Sequence, residues 1–243
     1  MNKFAFVIHT HTDCKDLWEM FFGQLNKYFP NYNKYVLVNE PSTIEGCTKC
    51  FIYDENIAYV KRFDTCLNSI EEEIVLFTHE DMILYDDPNN KIINELSDLI
   101  EEGVVDFIKL LKCKNPRETF LQSKIHDNLI QCPKEFSFSV QPTLSRRSSL
   151  FNLFNKASQV GELSIWDFER IIPHLFSEDQ SKKCFMSSTK NENQRGEYHW
   201  DSEIYPHGNM IFKGKWVYSE YQKELDFLST EYSIPLATRG FHG

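Results

Sequence analysis

The sequence contains no run of about 18 apolar residues, which is the length that a membrane-spanning helix requires. Its first residues also lack the apolar core and the small-residue cleavage site of a secretory signal. These absences predict a cytoplasmic protein without a membrane span. Basic residues are in the minority, with 26 Lys and Arg against 36 Asp and Glu and a formal net charge of -10. Because such a balance repels a phosphate backbone, it argues against nucleic acid as a partner.

The cysteines do not form the pattern of a disulfide framework or of a zinc site. There are seven, an odd number, scattered through 243 residues, which is typical of reduced thiols. Cys47 and Cys50 have C-x-x-C spacing, but no second C-x-x-C or H-x-x-x-H pair follows at the spacing of a zinc site. A plain loop is therefore the favoured interpretation of this pair, over a zinc knuckle or a redox motif.

The start of the chain has the pattern of a β-α-β unit. Residues 4–9 are an apolar, β-prone run, and a polar cluster follows at 10–13. Apolar residues then recur at helical spacing over 17–28, and residues 35–38 form a second short apolar run. Such alternation indicates a parallel sheet, whose ligands bind at the carboxyl ends of the strands. The loop after residue 9 is therefore a candidate binding site.

The same pattern continues and then fades. Helices are predicted over 59–70 and 92–100, the second ended by Gly103, and strands over 74–77 and 104–111. Residues 82–85 are again apolar and precede a turn over 86–89. Beyond residue 111 the α/β alternation is lost. The sequence there predicts a strand over 136–140, a helix over 144–154, a mobile polar loop over 177–198 and a closing helix over 221–232. One α/β domain over residues 1–243 is the resulting prediction.

Two adjacent carboxylates follow the strand predicted over 74–77. Glu80 and Asp81 stand just past this buried run, where carboxylates can hold a Mg²⁺ or Mn²⁺ ion that bridges a diphosphate. The alternative is that both are solvated turn residues. His79, beside them, is either a further ligand or a hydrogen-bonded structural histidine.

Four segments, taken in order, resemble the nucleotide-diphospho-sugar glycosyltransferases of the GT-A fold, particularly small bacterial and viral members acting on surface glycans. They are FVIHTHTD, YVKRFDTCLNSIEEEIVLFTHEDMILYDD, FSFSVQPTLSRRSSLFNLFNK with ELSIWDFER, and NMIFKGKWV, and together they span residue 4 to about residue 218. The resemblance implies a three-layer α/β/α sandwich with a mostly parallel central sheet. It also implies transfer of a sugar from a UDP- or GDP-type donor to a glycan hydroxyl in surface polysaccharide or glycoconjugate synthesis.

The resemblance also implies roles for individual residues, with a nucleotide-sugar half at 1–111 and an acceptor half at 112–243. Contacts to the nucleotide sugar would come from Thr10, His11, Thr12, Arg62, Asp64, Glu80 and Asp81. Asp81 and His207 would hold Mn²⁺ or Mg²⁺ near the diphosphate. Because His-Glu-Asp stands where the family has Asp-x-Asp, the requirement for a metal stays open.

Sugar transfer with inversion needs a carboxylate to deprotonate the acceptor hydroxyl. Asp167 and Glu169 are the candidates for this catalytic base, and Trp166 offers an apolar face on which an acceptor sugar can stack. The alternative is that the acids cap or solvate a helix and the tryptophan belongs to the core. Acids two residues apart cannot share one helical face, so at most one of them points into a given site.

Two other functions remain open at this stage. His9 and His11 form an H-x-H pair at the end of the first strand, as in metal-dependent hydrolases. Those enzymes need a (β/α)₈ barrel, whereas the alternation here fades after residue 111. A sugar-nucleotide or glycan-binding module without catalysis is the third hypothesis, which the unusual His-Glu-Asp keeps open.

Overall fold

The computed structural model describes residues 2–112, 123–132, 138–178, 183–195 and 199–242. The strands are β1 (Ala5–His9), β2 (Lys34–Val38), β3 (Lys49–Ile52), β4 (Ile74–His79), β5 (Met82–Leu84), β6 (Phe107–Lys109), β7 (Leu129–Gln131), β8 (Thr143–Arg146), β9 (Cys184–Ser187), β10 (Gln194–Arg195), β11 (His199–Trp200), β12 (His207–Asn209), β13 (Ile211–Phe212) and β14 (Lys215–Trp216). The helices are α1 (Lys15–Tyr28), α2 (Asp64–Ser69), α3 (Asn90–Glu101), α4 (Arg147–Ser158), α5 (Ile165–Glu178) and α6 (Tyr218–Glu231). Short 3-10 turns occupy Thr12–Cys14, Tyr59–Phe63 and Leu236–Thr238.

A central sheet of eight strands has the order β3-β2-β1-β4-β8-β6-β9-β7. Strands β1 to β4 are parallel to one another, β8 lies antiparallel between β4 and β6, and β9 is parallel to β6. The edge strand β7 is antiparallel to β9. All strands except β7 and β8 therefore run in one direction, which confirms the predicted mostly parallel sheet.

Helices cover both faces of this sheet. One buried cluster joins β1 to apolar residues of α1, α3 and α6, and a second joins the other face to α2, α4 and α5. Along β1, Phe6 and Ile8 belong to the first cluster and Val7 to the second. A strand buried on both faces is apolar at every position, which is why residues 4–9 form a continuous apolar run. The predicted three-layer α/β arrangement is confirmed.

The chain adds β2 and β3 on one side of β1 and then places β4 on the other side, so the strand order reverses between β1 and β4. Helix α1 follows β1 on one face and leads to β2, whereas α2 packs on the opposite face and leads to β4. The last residues of the two neighbouring strands, His9 and His79, pair in register. In open α/β sheets a crevice forms at such a point, outside the carboxyl ends of the strands. This arrangement places the candidate site between β1 and β4.

Several predicted elements differ from the structure. Predicted helix 59–70 is a 3-10 turn followed by α2, because Lys61 donates to the carbonyl of Ala58 three residues earlier. The helix predicted over 144–154 begins as strand β8, because that segment pairs with β4 and β6. The predicted loop over 177–198 contains β9 and β10. Of the predicted strand 136–140, residues 136–137 lie outside the described residues and 138–140 are not in a strand.

Shorter strand pairs form separate two-stranded sheets. β12 pairs with β5, and β13 pairs with β14 within the segment NMIFKGKWV. Within the described ranges, no helix is long and apolar enough to cross a membrane.

Candidate functional site

A cleft with a volume of about 440 Å³ opens at the carboxyl ends of β1 and β4. This volume lies in the range of about 300 to 1,000 Å³ that is typical of small-molecule sites. The lining residues come from the ends of both strands, from the segment between β3 and α2, and from the residues around the start of α5. They are His9, His11, Asn56, Ile57, Ala58, Tyr59, Arg62, His79, Glu80, Glu162, Leu163, Ser164 and Ile165.

The floor of the cleft is a stack of uncharged rings. The ring of His9 lies between Tyr53, at a centroid distance of 4.9 Å, and His79, at 5.0 Å. Burial lowers the pKa of His79 to about 3, and burial together with His79 lowers the pKa of His9 well below its ordinary value. Both imidazoles are therefore neutral near pH 7. The hydroxyl of Tyr59 lies 2.7 Å from Nε2 of His79 and joins the floor to the wall.

Arg62 brings a positive charge to this cleft, as the sequence predicts. Its guanidinium lies 4.6 Å from the ring centroid of Tyr53. Its N–H groups donate to the carbonyls of Glu55, at 3.0 Å, and Ile57, at 3.3 Å, so the backbone of the wall fixes the side chain. Asp64, predicted to act beside it, is exposed in the first turn of α2 and is not among the lining residues.

Of the three predicted nucleotide contacts after β1, one reaches the cleft. Thr10 is fully buried, and its hydroxyl accepts a hydrogen bond of 2.8 Å from the indole of Trp18. Thr12 exchanges hydrogen bonds with the side chain of Asn39, through its backbone N–H at 2.8 Å and its hydroxyl at 3.1 Å. His11 lines the cleft and forms a hydrogen bond through Nε2 with the carboxylate of Glu55. Thr10 and Thr12 thus hold the loop together.

Negative charge is concentrated at the end of β4. Glu80 lines the cleft and is buried, which raises its pKa. The pKa of Asp81 is raised by burial first and then by the carboxylates of Glu80 and Glu169. Oδ1 of Asp81 is buried and has no hydrogen-bond partner among the described residues. The three acids therefore repel one another, and a bound cation or a proton donor of a ligand would relieve this repulsion.

The donor atoms of Glu80 and Asp81 suit Mg²⁺ or Mn²⁺ only if a ligand supplies further oxygens. In the part of the chain that the structure describes, no three His, Cys, Asp or Glu side chains are placed to hold a metal ion. Mg²⁺ is commonly held by one or two carboxylates together with substrate phosphates. Glu80 lines the cleft, whereas Asp81 is buried behind it and is not among the lining residues. The pair therefore fits a cation shared with a phosphate ligand only if the oxygen atoms of Asp81 become accessible from the cleft.

The structure places His207, the other predicted metal ligand, in a separate buried cluster. His207 is fully buried on β12, and its Nδ1 lies 2.7 Å from the carbonyl of Tyr205. Its ring is 4.8 Å from the ring of His199, whose Nε2 donates to the carbonyl of His207 at 3.0 Å. His207 is not among the lining residues because its segment folds back as a strand paired with β5.

The two predicted catalytic acids have different surroundings. Asp167 takes part in the N-terminal cap of α5: its N–H donates to the hydroxyl oxygen of the capping residue Ser164 at 3.2 Å, and its carboxylate accepts from that hydroxyl at 2.6 Å. Glu169 instead accepts a hydrogen bond of 2.8 Å from the N–H of Val140. Its charge raises the pKa of Tyr59, after the larger effect of burial. Glu169 is therefore the acid that lies close to the cleft.

Trp166 stands beside the cleft at the start of α5. Its side chain is 63% exposed, and the preceding residue, Ile165, lines the cleft. The alternative that Trp166 belongs to the core is therefore wrong, and Phe168, two residues later, is the aromatic side chain of this segment that is fully buried.

The hydrolase hypothesis does not fit this site. The sheet is open and is not a barrel. His9 is buried in the ring stack and His11 is paired with Glu55, and no three-ligand metal group exists among the described residues.

The sequence did not indicate Tyr59, which lines the cleft, or Tyr53, which stacks on the lining residue His9. Tyr53 follows β3, and its hydroxyl donates to the carbonyl of Thr10 at 3.0 Å. Tyr59 was assigned to the apolar face of a helix. Neither tyrosine lies in a recognisable local motif. They contact the histidines of the cleft because the sheet brings the ends of β1, β3 and β4 close together.

No family model matches the sequence, and no curated protein matches it. In structure the chain is similar to S. aureus TarS, with 12% identity, 95% of this chain and 39% of TarS covered, and a TM-score of 0.48. It is also similar to the glycosyltransferase GlyE of Streptococcus pneumoniae TIGR4, with 14% identity and a TM-score of 0.45, and the match covers 78% of this chain and 46% of GlyE. A further similarity is to 4-diphosphocytidyl-2C-methyl-D-erythritol synthase from Anaerococcus prevotii DSM 20548, with 7% identity and a TM-score of 0.42. That match covers 76% of this chain and 88% of the synthase. The region shared with TarS and GlyE is less than half of either protein.

Proposed function

We propose that this chain is a glycosyltransferase that moves a sugar from a nucleoside-diphosphate sugar to a glycan hydroxyl. The observation that carries the proposal is the set of side chains that line the cleft between β1 and β4, where the strand order of the sheet reverses. Neutral stacked rings, a guanidinium and a buried carboxylate line the same space of about 440 Å³. A nucleotide sugar has the matching chemistry, namely a planar base, an anionic diphosphate and sugar hydroxyls.

On the donor side, Arg62 and His11 are the polar groups at the entrance and the rings of His9 and His79 form the floor. The guanidinium donates hydrogen bonds to ribose, base or phosphate oxygens and stabilises the negative charge of the leaving nucleoside diphosphate. Glu80 accepts from donor hydroxyls. Glu80 and Asp81 would hold the divalent cation, which would neutralise the diphosphate when bound.

On the acceptor side, Glu169 is the proposed general base. The N–H of Val140 holds one carboxylate oxygen at 2.8 Å, which fixes the orientation of the group. The second oxygen can then take the proton of the acceptor hydroxyl as it attacks the donor sugar, so that the anomeric centre is inverted. Trp166 offers an exposed ring for acceptor sugars. Asp167, the acidic partner in the cap of α5, has no part in this step.

The finer assignments are part of the proposal. They are a single domain over 1–243 with its donor side in 1–111, a cytoplasmic location, and a role in surface polysaccharide or glycoconjugate synthesis. The net charge of -10 supports glycan over nucleic acid as the acceptor.

Thermal shift with a panel of UDP, GDP, CMP and their sugars, with and without Mn²⁺, tests the proposal. We expect one nucleoside diphosphate to raise the Tm of the wild-type chain, and Arg62→Gln to remove most of that rise. Slow hydrolysis of the matching donor sugar without an acceptor distinguishes an enzyme from a binding module, because turnover requires a working leaving-group site. A Tm that no nucleotide changes would overturn the proposal.

A further inference from the structure

Two thiols lie in contact at the start of the edge strand β3. Sγ of Cys47 and Sγ of Cys50 are 3.5 Å apart, and both cysteines are free and half-buried. Cys50 is within β3 and pairs with Val36 of β2, while Cys47 lies in the preceding turn. The predicted plain loop is therefore wrong for Cys50. An S–S bond is about 2.0 Å long, so the two sulfur atoms must move about 1.5 Å closer to form one.

The surrounding backbone holds this pair in place. Gly46 has a φ of 73°, and a Cβ atom there would meet the side chain of Asn26 at 2.2 Å. That asparagine donates to the carbonyl of Glu45 at 3.0 Å, which fixes the turn. On the other side, the thiol of Cys47 donates to the carbonyl of Lys34 at 3.4 Å. The thiols are thus brought together by a fixed turn and a paired strand.

From this geometry we infer that Cys47 and Cys50 are a modification site, where a small-molecule disulfide such as glutathione disulfide converts the two thiols into an intramolecular disulfide. This site lies outside the cleft and does not depend on what the cleft binds. Because Tyr53 directly follows β3 and stacks on His9 of the cleft, the disulfide braces the strand next to one support of the cleft.

The exchange has two balanced steps. One of the two cysteine thiolates attacks one sulfur of the glutathione disulfide, which forms a mixed disulfide and releases one glutathione thiolate. The other cysteine sulfur then attacks the protein sulfur of that mixed disulfide, forms the Cys47–Cys50 bond and releases the second glutathione. The two protein thiol protons pass to the two released thiolates, so the protein loses two electrons and the small disulfide gains them. The second step is intramolecular, because the two sulfur atoms already lie 3.5 Å apart.

Intact mass and peptide mapping of the full chain test the inference. The reduced protein is equilibrated with glutathione buffers of increasing disulfide content, quenched with acid and alkylated. We expect wild type to lose the mass of two hydrogens, with the bond mapped to Cys47 and Cys50. Cys47→Ser and Cys50→Ser should form no internal bond and should instead carry a mixed disulfide with glutathione at the remaining thiol, and the control Cys14→Ser should behave as wild type does.

Two results would overturn the inference. One is that both thiols stay alkylatable when glutathione disulfide is in large excess. The other is that wild type collects mixed disulfides without the internal bond. Hydrogen exchange over residues 45–53 reports the bracing, because exchange there should slow several-fold on oxidation in wild type and stay unchanged in Cys47→Ser. Equal exchange in oxidised and reduced wild type would overturn the bracing of β3.

Discussion

The hydroxyl of Tyr59 lies 2.7 Å from Nε2 of His79 and connects two chain segments that both line the cleft. Tyr59 begins the 3-10 turn after β3, and His79 ends β4. Both side chains are buried, so bulk water does not replace this hydrogen bond while the rings of the cleft stay packed. The bond therefore fixes the wall of the cleft against its floor.

Tyr59→Phe should destabilise the protein. The substitution removes the hydroxyl and leaves Nε2 of His79 without its buried partner, which costs about 1–3 kcal/mol. Urea denaturation measures the loss. The matched control is Tyr35→Phe, whose hydroxyl contacts the carboxylate of Glu72 at 3.0 Å in a half-buried position, where water can replace it. Equal losses in the two variants would contradict the importance of the Tyr59–His79 bond.

Arg62→Gln should weaken binding of a nucleoside diphosphate without unfolding the protein. The guanidinium lies over Tyr53 and lines the cleft, so its removal takes away both a charge and a stacked plane. We expect affinity to fall by about tenfold or more, since a charge-assisted hydrogen bond contributes about 1.5–3 kcal/mol. Isothermal titration measures the change. Lys27→Gln is the control, because Lys27 is exposed and pairs with Glu231 at 3.1 Å, neither residue lines the cleft, and the variant should bind as wild type does.

Glu169→Gln and Asp167→Asn should separate catalysis from helix capping. Loss of a general base lowers the rate of transfer by about 10²–10⁴-fold, so Glu169→Gln should bind donor normally and transfer sugar slowly. Asp167→Asn weakens the cap of α5 and should lower Tm slightly while the transfer rate is kept. A coupled assay of nucleotide release, run beside thermal unfolding, measures both effects. Loss of transfer in Asp167→Asn with full transfer in Glu169→Gln would reverse the assignment.

The buried pair of His199 and His207 should make the fold sensitive to acid. Burial lowers the pKa of His199 from 6.5 to about 4, and burial and His199 lower that of His207 well below 6.5. Below pH 6.5 the unfolded chain therefore takes up protons that the native chain does not bind until about pH 4. The free energy of unfolding should fall as the pH is lowered through this window, by up to about 1.4 kcal/mol per pH unit for each histidine.

His199→Gln checks this pH dependence. The amide keeps a donor for the carbonyl of His207 but binds no proton in this range. Urea unfolding at a series of pH values should give a shallower decline for the variant than for wild type. Parallel curves would show that other groups cause the acid sensitivity.

Elements with strong periodicity could be predicted from the sequence. The buried run of β1 and the helical spacing of α1, α3 and α6 are local signals, and these elements lie where they were expected. β8 was missed because only four residues form it and its two partners, β4 and β6, lie earlier in the chain. Its strand state depends on tertiary pairing, which local periodicity does not report.

The candidate site could be predicted in part. The position of Glu80 after β4 and of Arg62 near it followed from the strand pattern and the family resemblance, and both line the cleft. The Ser164-x-x-Asp167 spacing is a capping pattern in which Ser164 is the helix cap and Asp167 its acidic partner. Tyr53 gave no such signal, because its contact with His9 joins residues 44 positions apart in the chain.

The position of β8 between β4 and β6 has a consequence for synthesis of the chain on the ribosome. β6 emerges early, but the strand that connects it to β4 is completed only at Arg146. Until then the nascent sheet ends at β4 with unpaired N–H and C=O groups, an edge that can pair with other chains. The N-terminal half is thus unable to complete its sheet during translation, and a chaperone that shields this edge would protect the protein from aggregation at that stage.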